Sequence, residues 1–586
     1  MKPEMTESTA PFNYQAMREN ELRVIKIRRG SWGGPIICEL QHITLQAESP
    51  PDFVALSYVW GEQNVLQQIT LNGHTFPVGV NLHAALCRIR QMDLDRPIWI
   101  DAICINQKDK DEINIEVRRM GLIYSSAKVL AFLGENSAED DIIIGNIFRV
   151  AKQLVGPLSS VDEYAKFIDK CNRRPLVDKL EIEDPQFMDQ ARMFLTSFLG
   201  REWFFRIWTF QEICLPQQIP DIMCGSHVIS LIDLGIFWAA MLSSFKAPAD
   251  HLVYIRARQL HQIASNRGQA AEPGRPENFP GQLMSILQEV HGRKASEPRD
   301  MIYGTLGMIK DNIHKLPPSL EPNIKLHFEN VYREYSKFLF EQTGCLSLMV
   351  TTENHLQYSP TWVPDFRYLG PNRTPDARSK VSFSDDGTMM CVQGFLVDEV
   401  AGFIGRRDFP INPTSTGAAL NMFKDTILEK GAQIRGISTM AMVDVWLRPI
   451  LEMQHRFQNW QGSGGSSRFE NLYAKYRECY HYLTTNPDNL PSDLNEHMKL
   501  LNGLVRQAQF LTSSGKLGVL QRRNMALAEK DLICFFKGSV CESILRPAED
   551  GCFSFLGTCQ MMDTDPLDSY GASFFLGRPI RKWWLV

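Results

Sequence analysis

The sequence predicts an α/β protein, with a doubly wound parallel sheet in its N-terminal part and a mixed α+β C-terminal region. Three short apolar runs, at residues 53–56, 97–102 and 128–134, suit strands that are buried on both faces. These runs alternate with amphipathic segments of helical length, and such alternation implies parallel pairing with right-handed crossovers. A chain of 586 residues also exceeds what one hydrophobic core usually supports, so more than one domain is expected.

The alternation begins with a strand and a hairpin. The strand lies within residues 52–61, DFVALSYVWG. The hairpin lies within ITLNGHTFPV, because Asn72-Gly73 is a strong signal for a two-residue turn. Asn81 is then expected to cap a helix. The inner face of that helix is formed by apolar residues at helical spacing: Leu82, Ala85, Leu86 and Ile89.

A second strand, a helix and a third strand follow. PIWIDA, residues 97–102, is the strand, and a polar loop separates it from the helix. Apolar residues recur on one face of the helix and predict its inner stripe: Ile113, Val117, Met120 and Tyr124. KVLAFLG, residues 128–134, is the third buried strand. Three parallel strands with their helices therefore form the centre of the predicted domain.

Four segments are predicted along the chain. Residues 1–20 form a polar tail, and the α/β domain spans residues 21–215. A helical and mixed middle region covers residues 216–405, and residues 406–586 form an α+β region that ends in antiparallel strands. Within the middle region, residues 228–245 are expected to form a buried helix, because they include a charge and are too few to span a bilayer comfortably.

Composition argues against several classes of protein. The formal net charge is only −5 and there is no basic stripe, so no nucleic-acid partner is expected. Thirteen scattered cysteines without a C-x-x-C pair favour reduced thiols in a cytoplasmic protein over a disulfide framework or a zinc ribbon. The histidines show no metal-binding spacing and there is no glycine-rich phosphate loop, so neither a metal nor a bound cofactor is expected. No membrane span is predicted.

Polar side chains occur where the predicted parallel strands end. Ser57 and Tyr58 close the first strand, Asp101 closes the second, and Asn106 lies in the loop that follows. In open α/β sheets, ligands bind outside the carboxyl ends of the strands, so these residues predict a ligand site. Structural roles stay open as well, because Asp101 also suits a turn and Ser57 also suits a cap.

A carboxylate also stands in a strongly apolar run, FFRIWTFQEIC, at residues 204–214. Burial of an unpaired carboxylate is costly, so Glu212 is expected to have a partner, a shifted pKa or a function. Read as one helix that starts just before it, the run predicts a single stripe with a charge at each end, formed by Arg201, Phe205, Trp208 and Glu212. The structural alternative is a half-exposed acid at a helix end, paired with Arg206 or Arg201.

Four motifs together resemble a known family. ALSYVWG, WIDAICINQ, RRMGLIYSSAKVLAFLG and REWFFRIWTFQEI occur in this order over residues 54–213. In order and spacing they resemble the HET domain of fungal heterokaryon-incompatibility proteins. EPRDMIYGTLGM, residues 297–308, resembles a segment that follows the domain in that family, and Arg299-Asp300 within it is expected to form a local ion-paired turn. Lys530-Asp531 stands where the family usually has a Gly-Asp pair.

The resemblance also implies a chemistry. HET domains are similar to TIR domains, which have a flavodoxin-like fold, and some TIR domains cleave NAD with a glutamate that follows a tryptophan on a helix. The resemblance thus implies a flavodoxin/TIR-like domain in which NAD is a substrate and the catalytic residues are Glu212, Asp101 and Ser57. One carboxylate can stabilise an oxocarbenium-like ribose, and tryptophan rings can stack on a base. The nucleotide-binding residues expected from this resemblance are Tyr58, Trp60, Asn106, Arg206 and Trp208.

Three classes of function stay open at this point. The chain is an NAD-cleaving effector of fungal self/non-self recognition and regulated cell death, a non-catalytic signalling or assembly domain, or a metabolic enzyme that reuses the fold. The expected partners are a second copy of the chain or another incompatibility or signalling protein. An open pocket at Glu212 would favour the effector, whereas a closed and paired Glu212 would favour assembly.

Overall fold

The fold is taken from a computed structural model of the chain. Two compact units are present, Met1–Phe328 and Glu329–Val586, here called unit 1 and unit 2. The structure describes residues 12–18, 20–45, 52–62, 64–92, 94–155, 185–231, 234, 279–351, 356, 358–370, 378–405, 416–458, 465–485, 494, 497, 501, 507–520, 526–539, 541–562 and 578–586.

The described part of unit 1 contains a mixed sheet of nine strands in the order β5-β4-β2-β1-β6-β3-β7-β8-β9. The strands are β1 Glu21–Ile27, β2 Ile37–Thr44, β3 Val54–Tyr58, β4 Leu66–Leu71, β5 His74–Gly79, β6 Ile98–Trp99, β7 Lys128–Phe132, β8 Asp221–Cys224 and β9 His227–Ser230. Strands β6, β3, β7 and β8 run parallel to one another and form the centre. Every residue of β3 is buried, as expected for a strand covered on both faces.

The α/β class predicted from the sequence is confirmed, but the sheet is not wholly parallel. Antiparallel pairs join β1 to β2, β1 to β6, β4 to β5 and β8 to β9. The sequence did not predict strands β1 and β2, because ELRVIKI and ICELQHIT mix charged and apolar residues and lack a continuous apolar run. Strand β2 keeps one side partly exposed, which antiparallel strands tolerate.

The Asn72-Gly73 hairpin is confirmed, and the helix cap that follows it is corrected. Asn72 and Gly73 have φ values of 49° and 82°, the positive values that a type I′ turn requires. The next helix begins at Val80, and its N-cap is Gly79 without a side-chain hydrogen bond. Asn81 instead donates its side-chain N–H to the Val59 carbonyl, so it fixes the loop after β3.

Most helices of unit 1 follow the central strands. They are α1 Val80–Gln91, α2 Asp101–Cys104, α3 Lys110–Ser126, α4 Ala138–Val155, α5 Pro185–Leu199, α6 Thr209–Cys214, α7 Phe279–Glu289 and α8 Asp300–Tyr303. Two 3₁₀ segments, Glu202–Phe205 and Leu306–Lys315, add to these. In α3, Met120 and Tyr124 are buried as predicted, while Ile113 and Val117 are partly exposed.

The run at residues 204–214 is not one helix. A 3₁₀ turn ends at Phe205, Arg206 is extended with φ −67° and ψ 138°, and α6 starts only at Thr209. The predicted stripe through Arg201, Trp208 and Glu212 therefore does not exist. The extended stretch forms because Arg206 makes a parallel bridge to Lys294, a pairing that a local pattern cannot reveal.

The helix expected at residues 228–245 is also corrected in part. Residues 228–230 belong to β9, which pairs with β8 in an antiparallel hairpin. Residues 235–245 lie outside the described residues. Val228 and Ile229 are β-branched residues, which favour a strand. They stand at the start of a longer apolar run, and the length of that run led to the prediction of a helix.

Unit 2 is built on an antiparallel sheet. Its strands are β10 Ser382–Phe383, β11 Met390–Ile404, β12 Gln509–Thr512, β13 Leu517–Leu520, β14 Leu532–Phe536, β15 Glu542–Pro547, β16 Phe553–Met561 and β17 Arg581–Leu585. Strand β14 pairs with the long β11, so the order β11-β12-β13-β16-β15-β14 closes on itself. Its helices are α9 Phe328–Thr343, α10 Ser347–Thr351, α11 Thr416–Phe423, α12 Glu429–Arg435, α13 Thr439–Gln458 and α14 Gly465–Thr485.

Lys530, which stands at the position of the family's usual glycine, has a φ of 73°. Glycine adopts this left-handed conformation more readily than lysine does, so a glycine would fit the turn before β14 without strain. Asp531 accepts two hydrogen bonds from Arg546 and one from the Ala528 N–H. The local network holds Lys530 in a strained conformation.

Three further observations concern the described residues. None of their helices is both long and apolar enough to cross a bilayer. Within the same ranges, no group of histidine, cysteine, aspartate and glutamate side chains is arranged to hold a metal ion. Each cysteine that the structure describes carries a free thiol.

Gly121→Ala is expected to destabilise unit 1 by roughly 1–3 kcal/mol. An added Cβ on α3 would lie 2.7 Å from the Cα of Gly307 and 3.1 Å from its carbonyl oxygen, and backbone atoms cannot rotate away. At an open helical site the same change would stabilise by about 1 kcal/mol, so the sign itself tests the packing. Urea unfolding measures the change.

Ile115→Ala is the matched control for Gly121→Ala, since Ile115 is on the same helix and its side chain is 55% exposed. Its effect should stay within about 0.5 kcal/mol. A Gly121→Ala protein as stable as the wild type would show that α3 and the 3₁₀ segment do not approach each other this closely.

Candidate functional site

Glu212 and Ser57 form the centre of a buried polar cluster. Ser57 is the fourth residue of β3, near its carboxyl end, and its hydroxyl donates a hydrogen bond to Oε2 of Glu212 on α6. The indole N–H of Trp203 donates to the same hydroxyl at 2.8 Å. Because Trp203 can only donate, the Ser57 proton is directed to the carboxylate. The three side chains therefore form an ordered chain of hydrogen bonds that ends on Glu212.

Glu212 has a strongly perturbed pKa. The residue is only 4% exposed, and burial raises its pKa to about 7. The Arg206 guanidinium and hydrogen bonds donated by Ser57 and Tyr124 oppose this rise. Tyr124 comes from α3, and burial raises its own pKa well above the usual value. Glu212 consequently changes protonation near neutral pH, a property common among functional carboxylates.

Asp101 is a second acid at the same edge of the sheet. It follows β6 by two residues and accepts the Trp60 indole N–H at 2.8 Å, and Tyr58 donates its hydroxyl to the same side chain. Burial raises the pKa of Asp101, and the Arg206 charge opposes that rise. The other oxygen accepts the Ala102 N–H at 2.7 Å, and Asp101 is the first residue of α2.

The charge of Arg206 acts on both acids. Its guanidinium donates to the carbonyl of Tyr58, at the end of β3, and its charge lowers the pKa of both Asp101 and Glu212. Arg201, the other arginine considered for Glu212, points elsewhere: it donates to the Leu133 carbonyl and to the Asn136 side chain. The structure thus brings together Ser57, Tyr58, Asp101, Arg206 and Glu212, with Trp60 beside them.

Comparison with known proteins agrees with the motifs. Residues 53–212 match the sequence model of a family described as Heterokaryon incompatibility protein (HET). The chain carries a HET domain. The cluster of Ser57, Asp101 and Glu212 lies within the matched range, and the predicted resemblance to the family is confirmed.

A curated relative extends the similarity beyond the HET domain. The chain is 27% identical over 309 residues to Heterokaryon incompatibility protein 6, OR allele, of Neurospora crassa. The aligned part is 46% of this chain and 44% of that protein, so the chain spans less than half the length of the relative it matches. No solved structure matches the chain.

Two of the expected nucleotide-binding residues of the HET domain have other partners. Asn106 shapes the loop after α2: its side-chain oxygen accepts the Lys108 N–H, and its own N–H donates to Glu112. Trp208 donates its indole N–H to Oδ2 of Asp300 at 3.0 Å. Among the described residues, neither side chain forms a hydrogen bond to Ser57, Asp101 or Glu212.

Sequence reasoning missed several residues that shape the cluster. The helical pattern indicates only an inner-stripe role for Tyr124, and Trp203 is one aromatic residue among many in an apolar run. Asp300 was expected in a local ion-paired turn, but the ion pair of that turn joins Arg299 to Glu297 at 3.0 Å. Burial raises the pKa of Asp300 to about 6. One sequence signal could have pointed to a role for Asp300: it lies in the motif EPRDMIYGTLGM, which resembles a segment of the same family.

Proposed function

We propose that this HET domain protein acts in the cytoplasm in fungal self/non-self recognition and regulated cell death. We further propose that its HET domain cleaves NAD between nicotinamide and ribose. The observation that carries the second proposal is the Ser57–Glu212 pair. The Glu212 carboxyl is buried and its pKa is raised to about 7, and the Ser57 hydroxyl donates a hydrogen bond to it. A second acid, Asp101, lies at the same edge of the sheet, and the Arg206 charge lowers its pKa as it does that of Glu212.

The proposed reaction needs only such groups. Departure of neutral nicotinamide leaves an oxocarbenium-like ribose, and the ionised carboxylate of Glu212 stabilises that positive charge. Water attacks the anomeric carbon, and Glu212 accepts the water proton and later releases it to solvent. Asp101 holds ribose hydroxyls, and the rings of Trp60 and Trp208 flank the aromatic ends of the substrate. The products are ADP-ribose, nicotinamide and a proton.

The arrangement of strands supports a TIR-like, flavodoxin-like domain. Strands β6, β3, β7 and β8 form a parallel centre, and β3 and β6 are direct neighbours in it. Ser57 is at the carboxyl end of β3 and Asp101 follows β6, the edge at which open α/β sheets bind ligands. We infer the TIR-like chemistry from this placement together with the motif resemblance.

A non-catalytic assembly domain is the second candidate, and one observation favours it. Glu212 is 4% exposed and already hydrogen-bonded to Ser57 and Tyr124, so the same network would also serve to hold α6 on the sheet. The NAD-cleaving domain would release nicotinamide from NAD, whereas the assembly domain would not.

Incubation of the purified full chain with NAD, followed by measurement of nicotinamide, tests the proposal. NADH is the matched control substrate, because its dihydronicotinamide ring lacks the positive charge that activates the leaving group. Release from NAD but not from NADH is the expected result. No nicotinamide release at micromolar protein would leave the assembly domain as the better candidate.

Turnover per molecule is expected to rise with protein concentration. TIR-like enzymes generally complete their sites between protomers, and the proposed partner is a second copy of this chain. Initial rates from nanomolar to micromolar protein, paired with light scattering, give the measurement. Rates that stay strictly proportional to protein down to nanomolar concentrations would exclude a site shared between copies.

A further inference from the structure

The turn between the 3₁₀ segment and α6 is held by residues far along the chain. The Ile207 N–H donates to the Lys294 carbonyl at 2.9 Å, and the Lys294 N–H donates to the Phe205 carbonyl at 2.6 Å. These bonds flank Arg206 on both sides and keep it extended. Lys294 lies downstream of the range that matches the HET family, residues 53–212. The matched range thus does not contain everything that sets this turn.

Arg293 holds the same turn from its other side. Its side chain is buried, and one guanidinium nitrogen donates to the Arg206 carbonyl at 2.8 Å and to the Thr209 hydroxyl at 2.9 Å. The guanidinium also lies over the Phe210 ring, 5.2 Å from its centroid. A buried arginine is costly unless it is hydrogen-bonded, so these bonds account for its position. The carbonyl of Arg206 and the first turn of α6 are fixed together.

Asp300 holds Trp208, which lies two residues after Arg206. Its Oδ2 accepts the Trp208 indole N–H, which sets the plane of that ring. The Arg206 charge also acts on Asp300, as it does on Asp101 and Glu212. Close by, a Cβ added to Gly304 would lie 3.0 Å from a side-chain carbon of Ile207, so the chain packs tightly against the turn.

We propose that residues 293–300, the clamp segment, complete the HET site, with Arg293 and Asp300 as positioning residues for Arg206 and Trp208. The guanidinium of Arg206 reaches the Tyr58 carbonyl from an extended residue, whereas a continuous helix through residues 204–214 would carry its side chain in another direction. The clamp segment therefore sets the position of the Arg206 charge, which acts on both Asp101 and Glu212. The functional unit is residues 53–212 together with 293–300.

The part of the proposal that concerns ligand binding by Trp208 rests on the proposed NAD-cleaving function. Asp300 keeps the Trp208 ring in one orientation, so Trp208 is ready to stack on a planar aromatic ring of a nucleotide. Loss of Asp300 should weaken substrate binding more than it slows the chemical step. Loss of Arg293 should affect both, because Arg206 is then displaced from the two acids.

Amide hydrogen exchange of the full chain tests the clamp without any need for turnover. Exchange across residues 205–212 is expected to become at least about tenfold faster in Arg293→Ala and in Asp300→Ala, because local opening becomes easier. Glu297→Ala is the matched control: it removes an exposed carboxylate of the same turn, whose ion pair is with Arg299 and not with Arg206 or Trp208, and exchange should not change. Asp300→Asn keeps an acceptor for the indole N–H and should restore slow exchange.

NAD turnover of the same variants tests the positioning role. Asp300→Ala is expected to raise KM about tenfold with kcat reduced less than threefold, and Asp300→Asn to recover most of the loss; Arg293→Ala is expected to lower kcat and raise KM together. Should an alanine variant fail to fold, Asp300→Leu and Arg293→Met, which keep much of the side-chain bulk but remove the acceptor and the donors, give the same comparison. Unchanged KM and kcat in Arg293→Ala and Asp300→Ala would overturn the positioning role.

The outcomes also separate the clamp from the proposed function. If the wild-type chain releases no nicotinamide, the NAD proposal fails and hydrogen exchange alone decides the clamp. Protection of residues 205–212 that survives in both alanine variants overturns the clamp, whatever the activity. Faster exchange in both, with Glu297→Ala unchanged, supports it.

Discussion

In Glu212→Gln, nicotinamide release from NAD is expected to fall about a hundredfold or more, while the protein stays folded. Glutamine keeps the shape of the side chain and an oxygen that accepts the Ser57 hydroxyl. It lacks the negative charge that faces the oxocarbenium-like ribose, and such electrostatic stabilisation is typically worth about 3 kcal/mol. The measurement is kcat with saturating NAD, together with circular dichroism to establish the fold.

Glu202→Gln is the matched control, because Glu202 is an exposed acid at the start of the 3₁₀ turn that precedes α6. Its turnover should equal that of the wild type. Asp101→Asn should cost less than Glu212→Gln, since Asp101 holds the ribose and does not face the developing charge. A folded Glu212→Gln protein with wild-type turnover would refute the catalytic role of Glu212.

As pH rises, the free energy of unfolding of Glu212→Gln is expected to increase relative to that of the wild type. Burial holds the pKa of Glu212 at about 7 in the folded protein, above its ordinary value of 4.5. The folded state keeps a proton that the unfolded state releases, so wild-type stability falls as pH rises from about 4.5 to about 7 and is level above that. Over this window the difference should reach on the order of 3 kcal/mol.

Urea unfolding at pH 4.5 and pH 8 measures this change in both proteins, with Glu297→Gln as the control for loss of one surface charge. Asp101 and Asp300, whose pKa values burial also raises, remain in both proteins and largely cancel in the comparison. The structural alternative, an ion pair of Glu212 with Arg206 that stabilises the fold, predicts the opposite sign: a variant that is less stable than the wild type at pH 8. The two interpretations therefore separate on one measurement.

The sequence by itself determined the centre of the HET domain and the edge at which its polar residues meet. Strands covered on both faces must be apolar, so runs such as the one around Leu56 identified β3, β6 and β7. Parallel strands end at a common edge, so the order of strands and helices along the chain was enough to place Ser57 and Asp101 together. The Asn72-Gly73 turn followed from backbone sterics alone.

Only the tertiary structure decided how Glu212 reaches that edge. The local pattern predicts one helix over residues 204–214, and helical spacing within the run shows no sign of a break. The break at Arg206 comes from Lys294 and Arg293, the latter 87 residues further along the chain. Periodicity reports on which face of an element is buried, but the backbone pairs and hydrogen bonds that stop a helix are made between segments distant in sequence. Burial of Glu212 beside Tyr124 and Ser57, and hence its raised pKa, follows from that distant contact.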